Sequence, residues 1–221
     1  MNIEEFKTIL IEGIKKNNIK DLDNDSINKL YEYMKNVLEW NEKINVTAIK
    51  DEKDFIYKHY IDSLLINEFI ENNAKVIDIG TGGGFPGIPV KIANDSIAIT
   101  LIDSVNKKLK VIRESIKNLH INNVEIILTR AEDLYKKKEY FEKFDVAITR
   151  AVSSFKNIAF YMLPFLKKGG IAICMKGPNY KEDLDEAMNE IRKFGGEISE
   201  IKNYNINTEY ERNIIIIKKA K

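Results

Sequence analysis

Asp78 and the run that follows it carry the first sign of chemistry. The chain places five glycines in eight residues, Gly80, Gly82, Gly83, Gly84 and Gly87, directly after the apolar run Val76-Ile77-Asp78-Ile79. The apolar pattern then resumes over Gly87–Ala93 with helical character. A strand, a glycine-rich turn and a helix bring backbone close to a nucleotide-like ligand. Two patterns overlap in this turn. Gly82-x-Gly84-x-x-Gly87 is the dinucleotide fingerprint, which is weak when alone. Asp78-x-Gly80-x-Gly82-x-Gly84 is the pattern expected for S-adenosylmethionine (AdoMet). A pyrophosphate needs free N–H groups at a helix start and no negative neighbour. Asp78 would repel it, whereas the same carboxylate suits the amino and sulfonium cations of AdoMet. Pro86 and Pro89 also remove two N–H donors from the helix start. The turn therefore favours AdoMet over a nicotinamide cofactor.

Further candidates follow later apolar runs. Asp103 closes Thr100-Leu101-Ile102. A carboxylate there can accept both hydroxyls of a ribose, cap the next helix, or do both. Arg130-Ala131-Glu132-Asp133 follows the third run, where an adenine would lie. A backbone N–H and a carboxylate there read a base edge, or the segment is a solvated turn. Arg150 ends the fourth run, at the strand edge where open α/β sheets bind ligands. It can hold the AdoMet carboxylate, a nucleic-acid phosphate, or a structural ion pair. Lysines number 30 and arginines 5, so a planar guanidinium kept at such a place is informative. The residues read so far give a cofactor set of Asp78, Gly80, Gly82, Gly84, Asp103, Ala131, Glu132 and Arg150.

These residues need a scaffold. Strand-like runs at Val76–Ile79, Ile97–Ile102, Val124–Leu128, Phe144–Thr149 and Ile171–Met175 alternate with helical segments at Gly87–Ala93, Val105–Leu119, Phe155–Leu166 and Lys181–Phe194. Continuous apolar strands separated by helices predict a parallel sheet covered on both faces. Glu197–Tyr204, a polar turn at Asn205–Glu211, and Asn213–Lys218 predict a closing antiparallel hairpin. Residues 1–72 predict a helical cap, and residues 73–221 the cofactor-binding domain. In the cap, Ile3, Phe6, Ile9, Leu10 and Ile14 recur at helical spacing, as do Ile27, Leu30, Tyr31, Met34, Val37 and Leu38. Asn24-Asp25-Ser26 supplies N-cap candidates. A third helix is expected over Asp54–Phe69, carrying His59 and Asp62 one turn apart.

Composition narrows the class. The formal net charge is +1, but residues 1–72 carry 10 basic and 15 acidic groups and the remainder 25 and 19, giving −5 and +6. The positive part includes the glycine turn, where a polyanion would be attracted. The single Cys174 excludes a disulfide within the chain and a cysteine-rich zinc site, and His59 and His120 are not spaced as metal ligands. No apolar run reaches membrane-spanning length and the first residues lack a secretory pattern, so a cytoplasmic location is expected, with a monomer as the default.

The segments Trp40-Asn41-x-x-Ile44-Asn45-x-Thr47, His59-x-x-Asp62-Ser63, Asp78-Ile79-Gly80-Thr81-Gly82-Gly83-Gly84-Phe85-Pro86-Gly87-Ile88-Pro89, Leu101-Ile102-Asp103-Ser104, Arg130-Ala131-Glu132 and Arg150-Ala151-Val152 resemble the RsmG (GidB) family of bacterial small-subunit rRNA methyltransferases. The likeness runs in order over most of the chain. It implies a class I AdoMet-dependent methyltransferase, Rossmann-like, with a seven-stranded sheet. The implied donor is AdoMet and the implied acceptor is N7 of one guanine in 16S rRNA of the small ribosomal subunit. Carried over by position, Gly80, Phe85, Ala131, Glu132 and Arg150 would contact AdoMet. Asn41, Asn45, His59, Asp62 and Arg130 are candidates for the RNA side, with packing of the cap as the other role for the first four. Guanine N7 has a free lone pair, so the attack needs alignment rather than a general base. No Asn/Asp-Pro-Pro-aromatic site for exocyclic amines is present, and Cys174 lies inside an apolar strand, against a covalent cytosine mechanism. A methyltransferase for a small molecule or protein, a nicotinamide oxidoreductase, and a non-catalytic AdoMet-binding factor are the rivals.

Overall fold

The computed structural model describes residues 1–150, 154–206 and 210–220. The chain opens with α1 (Ile3–Lys16) and α2 (Asn24–Asn41). A capping box starts α1: the Asn2 side chain accepts from the Glu4 and Glu5 amides, and Glu5 accepts from the Asn2 amide. Helix α2 is capped by Asp23, whose carboxylate accepts from the Ser26 amide at 2.7 Å. The expected cap at 24–26 is thus corrected by one to three residues, because Ser26 supplies the capped N–H and not the capping oxygen. Phe6, Leu10 and Ile14 line the buried face of α1, and Ile27, Leu30, Tyr33, Met34 and Val37 that of α2. Tyr33, rather than the expected Tyr31, is the tyrosine sealed in the core.

The third helical stretch is not one helix. It runs as α3 (Glu52–Phe55), a π-helical segment Ile56–Ile61, α4 (Asp62–Leu64) and a 3₁₀ turn Leu65–Phe69. The wider π winding turns His59, Tyr60, Ile61 and Asp62 inward together, and all four are buried.

The sheet has the order β3-β2-β1-β4-β5-β7-β6, with β1 (Lys75–Ile79), β2 (Ala98–Asp103), β3 (Val124–Leu128), β4 (Phe144–Arg150), β5 (Leu166–Lys176), β6 (Gly196–Asn205) and β7 (Glu211–Lys219). The first five are parallel and the last two add as an antiparallel pair. The turn expected at 205–211 includes residues 207–209, which lie outside the described residues, as do Ala151 and Val152. Strand order reverses between β1 and β4, and a ligand crevice opens beyond the strand ends at such a point.

Helices α5 (Gly87–Ala93) and α6 (Asn106–Asn118) follow β1 and β2; α7 (Ala131–Leu134), α8 (Phe155–Met162) and α9 (Lys181–Lys193) follow β3, β4 and β5. Helix α8 stops before the expected Leu166: Pro164 cannot donate to a continuing helix, Leu163–Phe165 tightens to a 3₁₀ turn, and β5 starts at Leu166. Alternation along β1 divides the core. Val76 joins the N-terminal helices, α5 and α6 on one face, and Ile77 and Ile79 join α8 and α9 on the other. The first face is one continuous cluster from Phe6 through Phe85 to Ile216, so the N-terminal helices and the sheet share a core. No helix among the described residues is long and apolar enough to cross a membrane.

Candidate cofactor and nucleic-acid site

Parallel register places Ile79 beside Ile102, Asp103 beside Leu128, and Arg150 beside Met175, so the expected site residues gather along one edge of the sheet. The glycine turn sits at the centre of that edge. Gly84 has φ +90, and a side chain there would collide with the Tyr33 hydroxyl. A Cβ on Gly87 would lie 2.6 Å from Asp78 Oδ2 and 2.5 Å from Leu101. Both positions require the absence of a side chain.

The turn consumes its own donors. The Gly80 and Thr81 amides donate to Ile102 O, and the Gly84 and Phe85 amides to Thr81 O. The Gly82 amide donates to Asp103 Oδ2 at 2.9 Å, and the Gly87 amide to Asp78 Oδ2 at 2.9 Å. Asp78 is fully buried, and its Oδ2 also accepts from Thr81 Oγ1 at 2.7 Å. Its Oδ1 is sealed from solvent with no partner among the described residues. Burial pushes the Asp78 carboxyl up to about 7, against the opposing effect of the Thr81 and Gly87 hydrogen bonds.

Asp103 is spent on backbone too. Its Oδ1 accepts from the Val105 amide at 2.8 Å, and Val105, not Asp103, occupies the N-cap position of α6. Each Asp103 oxygen keeps a second lone pair on a half-buried carboxylate. Beyond β3, Ala131 is buried, Glu132 is half-exposed, and Arg130 reaches into solvent 3.9 Å from Glu132. Val105, two residues past β2, and Leu128, the last residue of β3, lie exposed. Apolar periodicity alone gave no reason to single them out.

A second group forms where the N-terminal helices meet β4. The Arg150 guanidinium donates to Lys58 O at 2.9 Å, Asp62 Oδ2 at 3.1 Å and His59 Nδ1 at 2.7 Å. Arginine is a donor only, so His59 Nδ1 accepts and Nε2 carries the proton. That Nε2–H donates to Thr47 Oγ1 at 2.9 Å, which also accepts from the Ile49 amide. Burial first, and Arg150 second, hold His59 well below the ordinary imidazole range, so it is neutral. The Phe85 ring stacks on His59 at 4.0 Å and 13°, with Arg150 5.5 Å from its centroid and Tyr33, Phe55 and Tyr60 around it. Phe85 thus turns its side chain into the N-terminal helices.

Of the other N-terminal candidates, Asn41 folds its loop by accepting from the Val46 and Thr47 amides at 2.8 and 3.0 Å, and Asn45 is exposed. Arg212, unforeseen in the sequence, places Nε 3.3 Å from Asp62 Oδ1, an ion pair without hydrogen-bond alignment. Lys58, His59, Asp62, Arg150, Lys176 and Arg212 line a cavity of about 380 Å³. In the sequence Arg212 falls between the expected turn at Asn205–Glu211 and the expected strand at Asn213–Lys218, so its being one of only five arginines was the one signal it carried. Among the described residues no cluster of His, Cys, Asp or Glu could hold a metal ion.

A parallel sheet with strand reversal at β1 and β4, a glycine turn after β1 and a terminal antiparallel pair define the class I methyltransferase fold. Solved structures bear this out: Methanococcus jannaschii TYW2 in complex with AdoMet aligns with TM-score 0.58 at 18% identity, over 77% of each chain. An rRNA methylase from Streptococcus thermophilus aligns with TM-score 0.53 at 16% identity, over 71% of this chain and 92% of that one. The sequence profile of the GidB family, described as rRNA small subunit methyltransferase G, matches residues 26–215. A ribosomal RNA small subunit methyltransferase G from Alkaliphilus oremlandii is 41% identical over 220 residues, 98% of this chain and 92% of its own. The chain belongs to the GidB family of methyltransferases.

Proposed function

We propose that this protein transfers the methyl group of AdoMet to N7 of one guanine of 16S rRNA, acting in the cytoplasm as a monomer on the small ribosomal subunit. The observation that carries the donor is how the turn's amides are used. Gly80, Thr81, Gly82, Gly84, Phe85 and Gly87 all donate within the protein, two of them to carboxylates. A pyrophosphate would find few free amides and two nearby acids there. A ligand with a cationic amino group and a sulfonium suits the same place. The nicotinamide rival loses on this ground.

The residues present fit AdoMet part by part. Asp78, whose ionisation a cation above the turn would favour, supplies negative potential beneath it when charged. Asp103 keeps lone pairs for ribose hydroxyls, and Ala131 and Glu132 face the place of the base, with Val105 and Leu128 as apolar surface. Arg150 makes three hydrogen bonds of the five its guanidinium can donate, leaving donors for a carboxylate. The bound donor supplies an electrophilic methyl group. Guanine N7 attacks with its own lone pair, so no residue here must remove a proton, consistent with a neutral His59 tied up between Arg150 and Thr47. Residues 1–72 serve as a cap whose loop at Asn41–Thr47 and π segment wall the acceptor side, and Arg130 meets phosphate.

The acceptor rests on family membership and on the cationic strand edge. Single-turnover methyl transfer to small subunits and to naked 16S rRNA, followed by cleavage at 7-methylguanosine, tests it. One new cleavage site supports the reading, and methyl transfer without any such site sinks it.

A further inference from the structure

The cofactor turn is held from three directions, and one of them lies outside the sheet. Asp103 at the end of β2 holds the Gly82 amide, and Asp78 within β1 holds the Gly87 amide. Between them, the Gly83 carbonyl accepts from the Tyr33 hydroxyl at 2.8 Å. Tyr33 belongs to α2, fifty residues away in sequence, and is fully buried. The contact is close along its whole length. A methyl on Gly84 would strike the Tyr33 hydroxyl, and one on Gly83 would lie 2.7 Å from Val46 Cγ1. The Tyr33 ring also meets the Phe85 ring edge-on at 5.9 Å. Burial and the neighbouring Asp78 charge raise the Tyr33 phenol well above its ordinary range, so it stays a donor at every working pH.

We propose that Tyr33 is a positioning residue of the methyl-donor turn, through which the N-terminal helices set the affinity for the donor. The inference rests on the AdoMet reading of that turn. Without the hydroxyl, the Gly83 carbonyl loses its fixed partner and the middle of the turn is free to rotate about glycines that resist little. The ends stay tied to Asp78 and Asp103. Donor binding must then order the turn itself, which lowers affinity and leaves chemistry at saturation intact.

Tyr60 provides an internal control. It is fully buried in the same core, and its hydroxyl donates to Leu30 O at 2.6 Å rather than to the turn. Tyr33→Phe and Tyr60→Phe therefore delete the same chemical group from the same core. Both are expected to lower the melting temperature by similar amounts. Only Tyr33→Phe is expected to weaken AdoMet binding, by about five- to tenfold in calorimetry and in the KM for donor. The KM for RNA and kcat at saturating donor stay within about twofold of the parent, given that only the turn is loosened. Val46→Ala, which relieves the other contact on Gly83, is expected to weaken donor binding about threefold on the same logic and serves should Tyr33→Phe not fold. Donor affinity unchanged in Tyr33→Phe, or lowered equally in Tyr60→Phe, overturns the proposal. Wild-type protein that binds no AdoMet overturns the donor reading beneath it.

Discussion

Asp78 is sealed under a turn with one oxygen bonded and the other unpartnered, so ionising it is opposed by its surroundings. Its carboxyl stands at about 7 in the folded protein against 3.8 ordinarily. Between those values the folded form holds a proton that the unfolded chain has lost. The stability from this group is full below the unfolded value and is lost as pH rises through 7. Relative to Asp78→Asn, the ligand-free wild type is expected to lose roughly 2–3 kcal/mol between about pH 5 and pH 8. Urea unfolding at a series of pH values reads this, and parallel profiles for the two proteins would remove the account. Asp62 is a buried carboxylate shared by Arg150 and Arg212. Asp62→Ala leaves two cations facing each other and is expected to cost about 3 kcal/mol, well above the cost of breaking an exposed pair. A loss under about 1 kcal/mol in the same assay would show the pair to be idle. The sequence placed Arg150 at a strand end and left three roles open. Its partner Asp62 is 88 residues away, a pairing that no local pattern reports.

At the scale of elements, the inner strands β1, β2, β4 and β5 were legible because both faces of the sheet are covered there and they read as largely apolar runs. Val124–Leu128 and Gly87–Ala93 fall where the pattern put them. The segment after Asp51 was not legible in the same way. A π turn and an α turn keep nearly the same apolar residues inward over six positions, so periodicity gave one helix where the chain runs in four segments of three windings. Tyr33 was missed for a related reason: Leu30, Tyr33 and Val37 fit the helical period as well as Leu30, Met34 and Val37 do, and the turn that needs the hydroxyl is remote. The glycines allow a direct test of the fit between elements. Gly169 has φ +86 with nothing within 4 Å of a Cβ, and Gly84 has φ +90 with the Tyr33 hydroxyl in the way. Gly169→Ala is expected to cost about 1 kcal/mol, from backbone strain alone. Gly84→Ala adds a collision in a closed core and is expected to cost more than about 3 kcal/mol and to abolish donor binding. Equal losses for the two variants would mean that the N-terminal helices do not press on the turn.

Across the whole molecule, charge is unevenly spread, −5 over residues 1–72 and +6 over the rest, and the total of +1 hides it. The cationic groups that reach the strand edge arrive by different routes: Arg130 after β3, Arg150 and Lys176 from the central strands, Arg212 from β7, and Lys58 from the N-terminal helices. The parallel strands all end on this side and antiparallel β7 begins on it, so Arg150, Lys176 and Arg212 share one cavity with Lys58, while Arg130 lies farther along the edge after β3. Under the proposed function, a polyanion is drawn to that edge and repelled by the acidic N-terminal helices, and RNA is expected to approach from the strand-edge side. Arg130 separates this long-range attraction from cofactor binding. Its side chain is 71% exposed and its nearest acid, Glu132, lies at 3.9 Å, so it is free to exchange that partner for a phosphate. Arg130→Ala is expected to weaken RNA binding several-fold at moderate salt, and to reduce the slope of log affinity against log salt by about 0.7 to 1. Donor affinity should hold. Lys16→Ala, at the far end of α1, removes the same charge from the acidic part and should leave the slope as it was. Filter binding of 16S rRNA over a salt series distinguishes the two, and an equal change in both variants would place the RNA elsewhere than across the ends of the strands.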